Sequence, residues 1–97
     1  MILEIADIRI RADEQAQFEA ALKRGIDEVI SRAAGYVGCQ IQHGIESPER
    51  YLLMIEWETL ENHTIDFRSS PAFQAWRALV GPFFANPPAV EHFRLLQ

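Results

Sequence analysis

Three side chains in the second half of this chain have the chemistry for a reaction site: Trp57, His63 and Arg77. An imidazole can accept or donate a proton near neutral pH. A guanidinium is a fixed cation with several donors and can hold a carboxylate or a phenolate. An indole supplies a flat apolar wall and one N–H donor. Trp57 lies at the end of an apolar-rich run that begins at Tyr51, and His63 follows six residues after it. Phe67, Phe73, Trp76 and Phe83 come next. A strand that delivers Trp57 to its end, followed at once by a helix bearing imidazole and aromatic rings, predicts a flat hydrophobic slot at the sheet–helix junction, suited to a small aromatic ligand. Each residue also has a plainer reading: Trp57 as core, His63 as a helix-surface or capping residue, Arg77 as a solvated helix residue, and the four other aromatics as a helix packed on a sheet.

The rest of the composition narrows the field. His43, His63 and His92 are far apart in sequence, with no ligand-like spacing, so no metal site is expected. Cys39 is the only cysteine, which rules out an internal disulfide and suits a small buried hydrophobe in mid-strand. There is no glycine-rich phosphate loop and no nucleophile elbow. A net charge of -5 argues against nucleic-acid or anionic-membrane partners. No apolar stretch reaches the roughly 18 residues of a membrane span. The N-terminal run has acidic residues and no basic leader, so a signal peptide is not expected, and a cytoplasmic protein is the default.

The elements that must position these groups follow from periodicity. Residues 2–10 alternate, with Ile2, Glu4, Ala6, Ile8 and Ile10 on one face and Leu3, Ile5, Asp7 and Arg9 on the other, which predicts a strand. Asp13 is a plausible N-cap for a helix of about five turns, whose apolar face runs from Phe18 to Ala33 before Gly35 stops it. Two strands, 36–43 and 50–58, form a hairpin across the Ser47-Pro48 turn. Thr59 with Asn62 predicts a capped second helix, interrupted at Ser69-Ser70-Pro71 and resumed with Pro71 as its first residue and Ser70 as its cap. Asn86-Pro87-Pro88 ends it, and 89–96 is a last strand.

The order β-α-β-β-α-β is the split βαβ, ferredoxin-like pattern: one α+β domain over 1–97, a four-stranded antiparallel sheet with helices on one face. The other face would leave groups such as Leu52, Met54, Val37 and Ile41 uncovered, depending on phase, and a homodimer through the sheet faces is the simplest solution. Asp7, Glu56, Gln40, Gln42, His92 and Arg94 are strand polar residues that could pair across such an interface or line the interior of a dimeric barrel.

These features together resemble the antibiotic biosynthesis monooxygenase (ABM) domain family of dimeric α+β-barrel proteins. The matching residues are Ile55-Glu56-Trp57-Glu58 at the strand end, His63 six residues on, Ser69 and Ser70 before Phe73, and the closing Pro88-x-Val90-x-x-Phe93. The resemblance covers essentially the whole chain and implies a fold more specifically than a reaction. Haem-degrading relatives carry an asparagine in the first strand, a tryptophan in the second helix and a histidine further on. Here those places hold Asp7, Asp66-Phe67 and Trp76-Arg77, so haem is not implied. Cofactor-independent oxygenases of the family use a tryptophan at the strand end, a polar ring residue near the next helix and an arginine beyond it, roles open to Trp57, His63 and Arg77. Where they carry an asparagine one strand turn before the tryptophan, this chain has Leu53. The resemblance thus implies a monooxygenase acting without a bound cofactor on a small aromatic or quinol-like substrate. A non-catalytic ligand-binding dimer, or an isomerase or lyase with His63 as proton shuttle, are the alternatives.

Overall fold

A computed structural model describes all residues, 1–97. The strands are β1 (Ile2–Arg9), β2 (Tyr36–His43), β3 (Arg50–Trp57) and β4 (Ala89–Arg94), and the α-helices are α1 (Gln15–Glu28) and α2 (Pro71–Val80). Between β3 and α2 lies a π-helical turn, Asn62–Phe67. All strand pairs are antiparallel in the spatial order β2-β3-β1-β4, so the expected ferredoxin-like α+β sheet is formed, with β4 at one edge.

The side-chain alternation of β1 holds. Ala6, Ile8 and Ile10 face the helices and are buried with Tyr51, Leu53, Ile55 and Trp57 of β3. Phe18, Leu22 and Ile26 of α1 and Trp76 and Val80 of α2 close this core from above. One member of the inward row breaks the apolar rule: Glu4 is only 5% exposed.

Several boundaries differ from the sequence reading. α1 stops at Glu28 and the chain continues through a 3-10 turn at Ile30–Arg32 rather than five unbroken turns. Asp13 is not the cap. It takes a left-handed conformation (φ 66°), and Glu14 occupies the cap position while accepting a two-pronged bond from Arg11. Ser70 does precede Pro71 in extended conformation, but its hydroxyl donates to the Phe67 carbonyl instead of accepting from α2. Thr59 and Asn62 make the reciprocal bonds of a capping box: Thr59 Oγ1 accepts from the Asn62 N–H at 3.1 Å, and Asn62 Oδ1 accepts from the Thr59 N–H at 3.1 Å.

Two glycines are required by geometry. Gly35 has φ +83°, and a Cβ there would run into the Asn62 side chain. Gly25 on α1 lies under Trp76, where a Cβ would meet the indole at 2.7 Å. The missing side chain is what lets α1 and α2 approach closely over the sheet.

The face away from the helices carries Leu3, Ile5, Leu52 and Met54, all half-buried, and the more exposed Phe93. Ile41 is not among them. A bulge between Tyr36 and Gly38 shifts the phase of β2, so that Cys39 and Ile41 pack on the core while Val37 is exposed. Asp7 forms a two-pronged pair with Arg50 of the same chain, at 3.0 and 2.8 Å.

Candidate functional site

The strand register sets the floor of the site. Glu4 on β1 sits between Ile55 of β3 and His92 of β4. Trp57, two residues beyond Ile55, reaches Glu4 on the diagonal, and its indole N–H donates to Glu4 Oε1 at 3.0 Å. Trp57 is fully buried and its ring stacks on that of His63, with centroids 5.4 Å apart and planes 20° from parallel.

The π-helical turn hangs His63 over this floor. A π turn is rare and carries an extra residue per turn, and such turns are concentrated at functional sites. Here it puts His63 and Phe67, four residues apart, both toward the sheet and both buried. His63 Nε2 lies 3.4 Å from Glu4 Oε1, and its Nδ1 is 2.7 Å from Nε2 of His92. The second Glu4 oxygen takes no protein hydrogen bond and is not sealed from solvent.

A cavity of about 510 Å³ opens beside these groups, between sheet and helices. Glu4 and His63 line its polar end, while Phe67, Phe73, Trp76, Phe84 and Val90 supply much of its apolar wall. Phe73 meets Phe67 edge-on at 5.7 Å. Two guanidinium groups, Arg68 and Arg77, also line it, and neither has a salt-bridge partner. Arg77 lies 5.9 Å over the Phe73 ring. The basic cavity contrasts with a chain of net charge -5.

Burial controls the protonation states. Desolvation raises the Glu4 carboxyl above its ordinary range, against the pull of the Trp57 N–H and the nearby Arg68 cation. Desolvation, then Arg68 and His92, push His63 down to about 4. His92 is lowered for the same first reason, with Arg68 contributing. The 3.4 Å approach of His63 to Glu4 is an ion-pair distance, but desolvation and the neighbouring Arg68 cation favour the neutral imidazole at neutral pH. The arrangement is a buried carboxyl beside two imidazoles whose ring nitrogens are in direct contact.

A family model described as antibiotic biosynthesis monooxygenase matches residues 1–79. The chain belongs to this family. Protein YczJ of Bacillus subtilis, described as uncharacterized, is 38% identical over 94 residues, 97% of this chain and 98% of that one. A Bordetella bronchiseptica protein named after the same family is 43% identical, with a TM-score of 0.93 over 99% of this chain and 97% of its own. SnoaB of Streptomyces nogalater, described as a cofactor-independent oxygenase, shares the fold at a TM-score of 0.84 and 14% identity, over 99% of this chain and 93% of its own.

Against this ABM frame, the structure brings His63, Arg77, Phe67, Phe73 and Trp76 to one cavity. Trp57 stands behind the wall, holding Glu4 and His63 rather than touching the open space. Phe83 points elsewhere, edge-on to Phe18 at 5.8 Å, and its neighbour Phe84 takes the cavity position. His92 does not lie on the open sheet face. It turns to the helix side because it pairs with Glu4. Glu4, Arg68 and His92 are the groups the sequence reading did not gather. Glu4 alone had a signal, as a carboxylate in the apolar row of β1. No group of three or more His, Cys, Asp or Glu side chains is arranged as a metal site.

Proposed function

We propose that this ABM-family protein is a cofactor-independent monooxygenase acting on a small aromatic or quinol-like substrate. The observation that carries the reading is a buried carboxyl, Glu4, with one oxygen free at the end of an apolar cavity and a neutral imidazole beside it. Such a site can take a proton from an anthrone- or quinol-type molecule lying flat among Phe67, Phe73 and Trp76. Glu4 is the acceptor favoured by its raised pKa, and His63 assists it. Arg68 and Arg77 hold the resulting phenolate or enolate, which stays partly shielded from water.

The substrate itself supplies the electrons. For a ring methylene, loss of one proton leaves a carbanion–enolate, which passes one electron to dioxygen. The two radicals combine to a carbon-bound peroxide, which takes up a proton. Loss of water with the second hydrogen of that carbon then leaves a carbonyl. Two hydrogens leave the carbon, one oxygen atom is retained and the other departs as water.

The same reading includes a homodimer joined through the open sheet face. Leu3, Ile5, Leu52, Met54 and Phe93 form an apolar surface there, extended by the exposed Leu95 and Leu96 of the C-terminal tail.

Oxygen uptake tests the catalytic part. With an anthrone or a hydroquinone as probe, consumption above background is expected in the wild type, with a loss of about 100-fold in Glu4→Gln, the size of a general-base contribution. Ligand binding with no uptake would favour a non-catalytic binding domain. Isomerised or cleaved product without uptake would favour a lyase or isomerase.

A further inference from the structure

We propose that the cavity takes an aromatic acid, a flat molecule whose rings lie among Phe67, Phe73 and Trp76 and whose permanent carboxylate rests on Arg77 at the rim. The inference builds on the reading of the cavity as a substrate site. It adds a second charge to the ligand, one present before any proton is removed.

The lining is graded from inside to outside. Its buried members include Glu4, His63, Phe67 and Trp76, while Arg68, Arg77, Asn86 and Pro87 are exposed and mark the rim. Glu4 is the only acidic residue of the lining, and it lies at the buried end. The rim therefore holds two cations and no acid, in a chain with 14 acidic and 9 basic residues. None of the chain's carboxylates comes within ion-pair distance of either guanidinium.

The two arginines have different neighbours. Arg68 follows the buried Phe67 at the end of the π-helical turn, and its positive charge acts on Glu4, His63 and His92. It is thus placed to hold an oxyanion that forms beside Glu4. Arg77 belongs to α2, one helical turn beyond Phe73, and its guanidinium lies 5.9 Å over that ring. The ring steadies the cation against the apolar wall. A carboxylate arriving there meets several N–H donors in a fixed fork.

Charge selects the ligand class and its direction. A neutral aromatic filling the cavity would strip water from the rim guanidiniums and return no hydrogen bond. A cationic ligand would be repelled. A carboxylate at the rim stays partly hydrated, so it loses little solvation and gains the guanidinium. The acid then points outward, and a hydroxyl or ring methylene points inward to Glu4. The ligand carboxylate and Glu4 are kept at opposite ends of the cavity, which limits their repulsion. A volume of about 510 Å³ is in the range that encloses a fused-ring molecule.

The test is calorimetric titration at pH 7 with anthracene-2-carboxylate and its neutral isostere anthracene-2-carboxamide. Wild type is compared with Arg77→Gln, Arg77→Lys and Arg68→Gln. The wild type should bind the carboxylate about 10-fold more tightly than the carboxamide, and the preference should shrink as salt is added. In Arg77→Gln the preference should vanish through weaker carboxylate binding, with the carboxamide affinity unchanged. Arg77→Lys should keep part of it, since the charge stays and the fork is lost. In Arg68→Gln the preference should persist. Equal affinity for the two probes in the wild type would overturn the proposal. So would a preference that survives Arg77→Gln, or one that falls as far in Arg68→Gln. Binding of neither probe would overturn it together with the cavity as a ligand site. Oxygen uptake decides the oxygenase reading separately. Preference for the acid without oxidation of any anthrone counts against oxygenation alone. Oxidation of a neutral anthrone, with equal binding of the two probes, counts against the acid alone.

Discussion

At the scale of single residues, the site is a buried polar cluster whose members depend on one another. His63 has a folded pKa of about 4 against an ordinary 6.5. The folded state therefore binds fewer protons than the unfolded chain between those values, so this contribution to stability is present above pH 6.5 and is lost as the pH falls toward 4. Between pH 7 and pH 5 it should amount to something on the order of 2 kcal/mol. Glu4 works in the opposite sense. Its pKa is raised, so its ionisation destabilises the fold as pH rises through the folded value. Urea unfolding of wild type and His63→Gln at pH 7 and pH 5 separates the two, and the difference between the proteins should shrink toward the lower pH. An unchanged difference would mean that His63 is not held neutral by burial. Trp57→Phe removes the donor from Glu4 Oε1 while keeping most of the ring packing. Loss of that bond to a buried carboxyl should cost about 1–3 kcal/mol at neutral pH and raise the Glu4 pKa further. A carboxyl-selective infrared titration would show an unshifted Glu4 if the bond does not matter.

At the scale of elements, the register of three strands and one unusual turn decide what meets. Glu4, Ile55 and His92 are level across the sheet, and the turn over Asn62–Phe67 lowers His63 onto them. Gly35 anchors the start of β2 against that turn through Asn62, and its carbonyl accepts from the Glu58 N–H at 2.8 Å. Gly35→Ala should cost about 1–3 kcal/mol from its positive φ alone, and the displaced Asn62 should disturb the His63–His92 contact. Thermal unfolding and the His63 ring signals report the two effects, and a variant as stable as wild type would contradict the account. Much of this level was legible in the sequence. Period-two alternation in residues 2–10, Pro71 at a helix start and the hairpin turn at Ser47-Pro48 each carry a local signal. The π turn was not, because its capping box and apolar spacing look the same as those that open an α-helix. The bulge before Gly38 was not either, and without it Ile41 is expected on the open face with Val37. His63 and His92 are 29 residues apart, and only the pairing of β4 with β1 brings them together. Glu4 could have been singled out, since a carboxylate in an apolar inward row needs a reason.

At the scale of the whole molecule, the sheet separates two unlike surfaces. The helix side is closed around the core and the cavity, and the other side leaves Leu3, Ile5, Leu52, Met54 and Phe93 in partial contact with water. No helix is long and apolar enough to cross a membrane. If the open face is a dimer interface, the wild type should run as a dimer at micromolar concentration, and Met54→Glu should run as a folded monomer, since a carboxylate there would be desolvated by the partner. A wild-type monomer in sedimentation would remove the dimer from the account without touching the cavity. The cavity carries the central claim, that Glu4 takes a proton from a bound aromatic substrate so that dioxygen can oxidise it. The most direct measurement is oxygen consumption with an anthrone, comparing wild type and Glu4→Gln across pH. The account predicts uptake in the wild type that rises as Glu4 ionises and a rate about 100-fold lower in the variant. Uptake equal in the two proteins, or none above background in either, would contradict it.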